Sequence, residues 1–314
     1  MTRARFGRVA RVVVLLGVAV LAVVTVVHQR RQVGDALGRL SPGSLALAFA
    51  AGLAAIACAV PAWRALLAQV HSPPLPWRPS ARVFLLGQLG KFVPGSVWVV
   101  VAQTELGRRH GVPRRASATA GLLSMGVSLG TALVTAAAFL PLGSAQLRHD
   151  YRWLSVVAVL ALAGLSPPVL TPVVRLALRL LRREPLERGL TWRGMTTAAG
   201  FSVLGWLLYG VHIWLLARGL GGTGPLLLPR SVGAFAAAWA VGFLVVLAPA
   251  GLGPREIVLT AALGPVLATP VALSLVSRLL LTVADLVGGG VAALLGRGQA
   301  APEVTADRTV APVP

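Results

Sequence analysis

Gly90-Lys91-Phe92-Val93-Pro94-Gly95-Ser96-Val97-Trp98 sets a lysine, a proline and glycine inside an otherwise apolar run. A plain membrane helix would hold none of these. Proline removes an amide donor and clashes with the preceding turn, and a cation in hydrocarbon is costly. Lys91 is also the only lysine in the chain; every other strongly basic residue is arginine. Far downstream, Pro249-Ala250-Gly251-Leu252-Gly253-Pro254-Arg255-Glu256 repeats the anomaly, charged and helix-breaking between apolar runs. Paired broken segments of this kind point to a transport site at which the two face each other.

The surroundings of both stretches are those of a membrane protein. The chain has 314 residues, 56% hydrophobic and 12% charged, with a mean hydropathy of +0.79. Residues 9–28, 44–69, 117–141, 153–178, 197–217 and 271–295 are apolar runs of about the 20 residues a bilayer crossing needs. The fold class is therefore an all-α polytopic membrane protein. The net charge of +20 comes almost wholly from arginines in loops and at helix ends. In this setting it reads as a topology signal and an attraction to anionic lipid heads rather than to nucleic acid. One cysteine, Cys58, excludes an intramolecular disulfide and a multi-cysteine metal site. The five histidines are scattered, so no metal or cofactor is implied, and the lack of a phosphate-binding loop argues against direct ATP use.

Arginine-rich short loops stay cytoplasmic. Arg3, Arg5, Arg8 and Arg11 place the N-terminus inside, and residues 9–28 read as a retained first helix because no small-x-small cleavage site follows. The loop 29–43 is outside, 44–69 returns with a break expected at Pro61, and a Pro-rich loop covers 71–80. If 83–104 crossed, Arg108, Arg109, Arg114 and Arg115 would face outward, as would the basic loop 179–195. A re-entrant hairpin turning at Phe92-Val93-Pro94-Gly95 puts both loops inside. Such backbone must be buried in protein or line a wet cavity. Residues 153–178 are expected to kink at Pro167-Pro168 and Pro172, 231–268 to form two arms about the second break, and 299–314 to be a disordered tail.

A pattern results: helix, helix, hairpin, helix over 9–141, and the same over 153–295. The first set begins inside and the second outside, as an inverted-topology repeat would. The expectation is about six full spans plus two re-entrant hairpins in one membrane domain, 1–298, or eight or more helices if the hairpin arms span.

Lys91 can meet a lipid phosphate or snorkel to the cytoplasmic interface. Pro94 and Gly95 would free backbone N–H groups at a half-helix start. Arg255 offers a planar fork for phosphate, while Glu256 can hold that fork, pair with Lys91, carry a proton, or cap a helix. Gly251 and Gly253 belong to the same break. Asp285 lies mid-helix with Arg278 two turns earlier on one face; an intramembrane pair and a coupling-ion or proton site are both open. Glu105 is a weaker coupling candidate, since Arg108 and Arg109 can neutralise it at the surface. Most tryptophans sit near predicted helix ends, where interface anchoring is the default; Trp98 alone is a candidate cavity wall. Gly126-x-x-x-Gly130 and Gly288-Gly289-Gly290 suit close helix approach, and His212 reads as packed rather than as a proton relay.

With both motifs on the page, the chain resembles the flippase-like family of the lysylphosphatidylglycerol synthase transmembrane region. A first motif of Gly-Lys-aromatic-x-Pro-Gly type is matched by Gly90, Lys91, Phe92, Pro94 and Gly95. A second, of Pro-Gly-Gly-Leu-Gly-x-Arg-Glu type, is matched by Pro249, Gly251, Leu252, Gly253, Arg255 and Glu256, with Ala250 and Pro254 as departures. The resemblance implies translocation of a membrane lipid or polyprenyl-phosphate-linked intermediate with an anionic headgroup. It gives no synthase activity, because no stretch here could form that soluble domain. The expected setting is the cell (plasma) membrane with both termini cytoplasmic, and a homo-oligomer is left open. The rival readings are an integral-membrane glycosyltransferase acting on polyprenyl-phosphate lipids, for which no catalytic acid pair is evident, and a non-transporting envelope-assembly scaffold.

Overall fold

The structure is a computed structural model that describes residues 30–92, 98–143, 153–180, 189–245 and 253–294. The expected first helix at 9–28 and the tail at 299–314 lie outside them. Eleven α-helices and no strand occur among the described residues, so the chain is an all-helical polytopic membrane protein.

Helix α1 (Arg30–Arg39) occupies what the sequence reading left as a loop. Val33, Ala36, Leu37 and Leu40 fall on one helical face and bury themselves against the core, which is the amphipathic spacing of a surface helix. Helix α2 (Pro42–Val70) starts at Ser41, whose hydroxyl accepts the Ser44 amide, with Pro42 in the first turn. The break expected at Pro61 does not occur: α2 runs through it to Val70. Packing of neighbouring helices lets a membrane helix tolerate an internal proline, and here α8 (Trp192–Gly219) lies along the whole of α2.

That pairing is the central feature of the fold. Gln69 bonds the backbone N–H of Thr191, a β-carbon on Gly205 would touch Ala55 O, and His212 bonds Ala48 O. Partner positions rise on one helix as they fall on the other, so α2 and α8 are antiparallel. His212 is fully buried between them, with Nδ1 2.8 Å from Ala48 O and Nε2 2.9 Å from Ser277 Oγ of the last helix. It is a packed histidine that ties three helices.

Helices α3 (Trp77–Gln88) and α4 (Trp98–Arg108) flank the first break, with a 3-10 turn over Leu89–Phe92. A β-carbon on Gly87 would lie 2.5 Å from Gln103 Cγ, and one on Gly90 would lie 2.7 Å from the Trp98 carbonyl oxygen. The arms are thus antiparallel and in glycine-enabled contact. At about 1.5 Å per residue, arms of 12 and 11 residues reach only about half of a hydrocarbon core some 30 Å thick. The turn itself, 93–97, lies outside the described residues.

Helix α5 (Arg114–Phe139) follows, extended by a 3-10 turn to Gly143. Helices α6 (Leu154–Leu165) and α7 (Pro167–Leu180) form one apolar segment bent by 69°. The bend falls at Pro167-Pro168, where the missing amides and the ring clash end the first helix; Pro172 sits inside α7 without ending it. Gly130 admits Leu165 of α6 within 2.8 Å of its would-be β-carbon, whereas Gly126 faces open space. Of that glycine pair only one serves packing.

Helix α9 (Leu227–Leu244) and helix α10 (Pro254–Leu263) flank the second break and pack on each other. The two arms are unequal: α9 has 18 residues and is apolar enough to cross alone, whereas α10 has 10. Helix α11 (Pro270–Leu294) closes the bundle against α2 and α3. Gly289 lets Leu89 approach to 2.9 Å of its would-be β-carbon, which brings the first hairpin onto the last helix. Helices α2, α5, α8, α9 and α11 are each long and apolar enough to span, and the bent α6–α7 pair makes a sixth candidate.

Candidate functional site

One cavity of about 270 Å³ is reached by both interrupted segments. Lys91 and Phe92 enter it from the first, Val245 and Arg255 from the second, and Arg278 and Asp285 from α11. Glycines set this up on the first side, because α3 and α4 could not close against each other with larger residues at 87 and 90. On the second side Gly253 adopts φ 90°, a conformation that other residues rarely take. It starts α10 so that Arg255 and Glu256 fall in the first turn.

The ion pairs differ from those the spacing suggested. Lys91 Nζ lies 2.6 Å from Asp285 Oδ2. Arg278 Nη1 donates to Glu256 Oε1 at 2.5 Å, and Glu256 Oε2 accepts the Gly253 N–H at 2.7 Å. The expected Asp285–Arg278 pair is therefore not made. Seven residues correspond to about 10.5 Å along a helix, beyond the reach of an aspartate. Each of the two instead binds an interrupted segment: Asp285 the first, Arg278 the second. Glu256 likewise pairs with neither Lys91 nor Arg255; it caps its own helix and holds Arg278.

Arg255 stands apart. No carboxylate among the described residues lies within ion-pair distance of it; its guanidinium sits 4.6 Å from the centre of the Phe235 ring. It remains within electrostatic range of Arg278, Glu256 and Asp285. From Phe235 a run of rings continues along the wall: Tyr209 at 4.6 Å, Trp206, Trp239 at 4.8 Å from Trp206, and Phe243 at 5.1 Å from Trp239. Polar positions lining the same cavity come from α3, α4, α5 and α8, including Gln88, Gln103, Ser124, Ser128 and Ser202.

Two indoles anchor this wall. Trp63 Nε1 donates to Gln103 Oε1 at 3.1 Å, and Trp206 Nε1 to Thr131 Oγ1 at 3.0 Å. Both tryptophans are buried in the protein rather than at an interface; Trp77, Trp153 and Trp192, at helix starts, are exposed. Sequence reasoning gave Trp63 no part in the site, weighed Gln103 only beside Glu105, and took Arg278 only as a partner for Asp285. For Arg278 the available signal was that α11 holds one charge opposite in sign to Lys91, namely Asp285, and one opposite to Glu256, namely Arg278.

Other expected residues fall elsewhere. Trp98 begins α4, and its neighbour Val99, not Trp98, lines the cavity. Glu105 is half-exposed at the far end of α4 and pairs with Arg108 at 2.8 Å and Arg114 at 3.3 Å. The hydrogen bond from Arg108, and then that from Arg114, hold its carboxyl below the usual glutamate range. It is a surface ion pair away from the cavity. Pro94, Gly95 and Gly251 lie outside the described residues.

The cavity thus offers three cations, one carboxylate, hydroxyls and amides, and a wall of aromatic rings. A search of curated proteins returned no match. The family model described as the lysylphosphatidylglycerol synthase TM region matches residues 14–289, a span that takes in both interrupted segments and α11 up to Gly289. This chain belongs to the family of the lysylphosphatidylglycerol synthase transmembrane region.

Proposed function

We propose that this protein translocates a membrane lipid, or a lipid-linked intermediate, by taking its anionic phosphate into the cavity between the two interrupted segments. The observation that carries this reading is the convergence of Lys91, Arg255 and Arg278 on one cavity inside an apolar helix bundle. Cations in such surroundings are costly and mark pathways or ligand sites. Arg255 is the primary phosphate ligand, because its planar fork can donate to two phosphate oxygens and no carboxylate among the described residues lies within ion-pair distance of it. Lys91 is a second contact, with Asp285 its counter-ion in the empty site and a candidate coupling group; Glu256, the other coupling candidate, holds Arg278. Gly253, at φ 90°, starts α10 beside the site; the backbone donors expected around Pro94, Gly95 and Gly251 lie outside the described residues.

The antiparallel α2–α8 pair supports an inverted repeat, with one hairpin and one later helix in each half. On that reading the site lies at the repeat interface, the chain resides in the cell membrane with both termini cytoplasmic, and alternating access rocks one half against the other.

The test is translocation of a fluorescent phosphatidylglycerol in proteoliposomes. Arg255→Ala and Lys91→Ala should each lower the rate by at least about tenfold, as expected from loss of about 1.4 kcal/mol or more at a phosphate contact. Unchanged rates in both variants, with the protein folded, would sink the reading.

A further inference from the structure

The cavity's charge and hydrogen-bonding pattern carry a statement about the headgroup, one that rests on the reading just given. We infer that the site selects an anionic headgroup with uncharged hydroxyls beyond the phosphate and rejects an aminoacylated, cationic one. The lipid named in the family's description is of the rejected kind.

The charge argument is an inventory. Among the described residues the cavity is lined by Lys91, Arg255, Arg278 and Asp285 as its only charged side chains. Asp285 is held by Lys91, and Glu256, just outside the lining, is held by Arg278 and the Gly253 N–H. The two breaks, 93–97 and 246–252, contain no acidic residue. An ammonium on a ligand would therefore meet three cations against the single carboxylate of Asp285, which Lys91 shares. Its desolvation would go uncompensated, and like charges at close range select against it.

The hydroxyl argument comes from donor and acceptor identities. A phosphate accepts only, so a site built for phosphate alone needs donors alone. This cavity also presents acceptors. Ser202 gives its proton to Ala198 O at 2.9 Å, which leaves its oxygen lone pairs for a ligand. Gln103 shows the opposite polarity: an indole N–H can only donate, so Trp63 fixes the amide oxygen and turns the amide nitrogen away from itself. Ser124 and Ser128, one turn apart on α5, add hydroxyls that serve either role. A mixed wall of this kind reads groups that both donate and accept, as the hydroxyls of glycerol, a polyol or a sugar do.

The experiment measures binding of short-chain phosphatidylglycerol, phosphatidic acid and lysylphosphatidylglycerol to the full chain in nanodiscs of neutral lipid. Phosphatidylglycerol should bind severalfold more tightly than phosphatidic acid, and at least about tenfold more tightly than lysylphosphatidylglycerol, the scale a single uncompensated charge sets. The double variant Ser124→Ala/Ser128→Ala should reduce phosphatidylglycerol to the level of phosphatidic acid and leave the latter unchanged. Lysylphosphatidylglycerol binding as tightly as phosphatidylglycerol, while Arg255→Ala loses all three lipids, would overturn the selectivity and leave the transport reading intact. Full binding of every lipid to Arg255→Ala would overturn both.

Discussion

Neutralising Asp285 tests the geometry of the site most directly. Its carboxylate, 6% exposed, lies 2.6 Å from the Lys91 ammonium, which is 35% exposed. At an effective dielectric near 20, unit charges about 4 Å apart attract by about 4 kcal/mol, and removing one partner of a buried pair costs about 3–5 kcal/mol. Lys91 can turn toward the cavity when its partner is gone, so the coupling between the two is scaled down to about 1–3 kcal/mol. The singles are unequal for the same reason. Lys91→Met strands a buried carboxylate and costs more than Asp285→Asn, which leaves a cation beside the cavity. A double-mutant cycle read by chemical unfolding in detergent micelles gives the coupling directly. A second cycle over Asp285→Asn and Arg278→Met is the control; positions separated by about two helical turns should couple by less than about 0.5 kcal/mol. A larger coupling in the Arg278–Asp285 cycle than in the Lys91–Asp285 cycle would refute the arrangement.

Other consequences follow from particular contacts. Gly90→Leu would drive a side chain into the Trp98 carbonyl and should destabilise the protein by about 1–3 kcal/mol in the same unfolding assay. Trp63→Phe removes the indole donor and leaves Gln103 Oε1 without it, at a cost of about 1–3 kcal/mol, and should blur headgroup selectivity in the lipid-binding assay. Glu105→Gln breaks only a surface ion pair and should leave proteoliposome translocation at the parental rate.

How much of this was legible in the sequence depended on whether the physics was local. Apolar length gave α2, α5, α8 and α11 to within a few residues, because a spanning helix is specified by its own composition. The bend at Pro167-Pro168 and the two interruptions were equally local, since proline and glycine act on the backbone that carries them. Pro61 was misread because its tolerance depends on α8, a neighbour distant in sequence. The ion pairing was misread for a related reason. Sharing a helical face says that Arg278 and Asp285 look in one direction, not that they can touch, and their partners arrive from segments whose approach only the fold determines. Trp63 looked like an interface anchor from its place near a predicted helix end, and became a buried donor to Gln103 once α3 and α5 packed against α2.

The pairing pattern bears on why Arg255 is conspicuous. Two of the three cavity cations have a carboxylate at hydrogen-bond distance, so their charge is largely compensated within the protein. Arg255 has an aromatic face instead, worth about 0.5–2 kcal/mol, well short of the several kcal/mol that withdrawing a cation from water costs. Its charge is tolerable only if the cavity supplies water or an anion, and the cavity it lines is large enough for either. The empty and occupied sites therefore differ chiefly at this residue. Filling the cavity with bulk from α5 tests this dependence on what the cavity holds: Ser128→Phe should exclude both water and anion and destabilise the protein. Restoring stability by adding Arg255→Met to that variant would attribute the loss to the stranded guanidinium. If Arg255→Met leaves the stability of Ser128→Phe unchanged, the charge was never dependent on what the cavity holds.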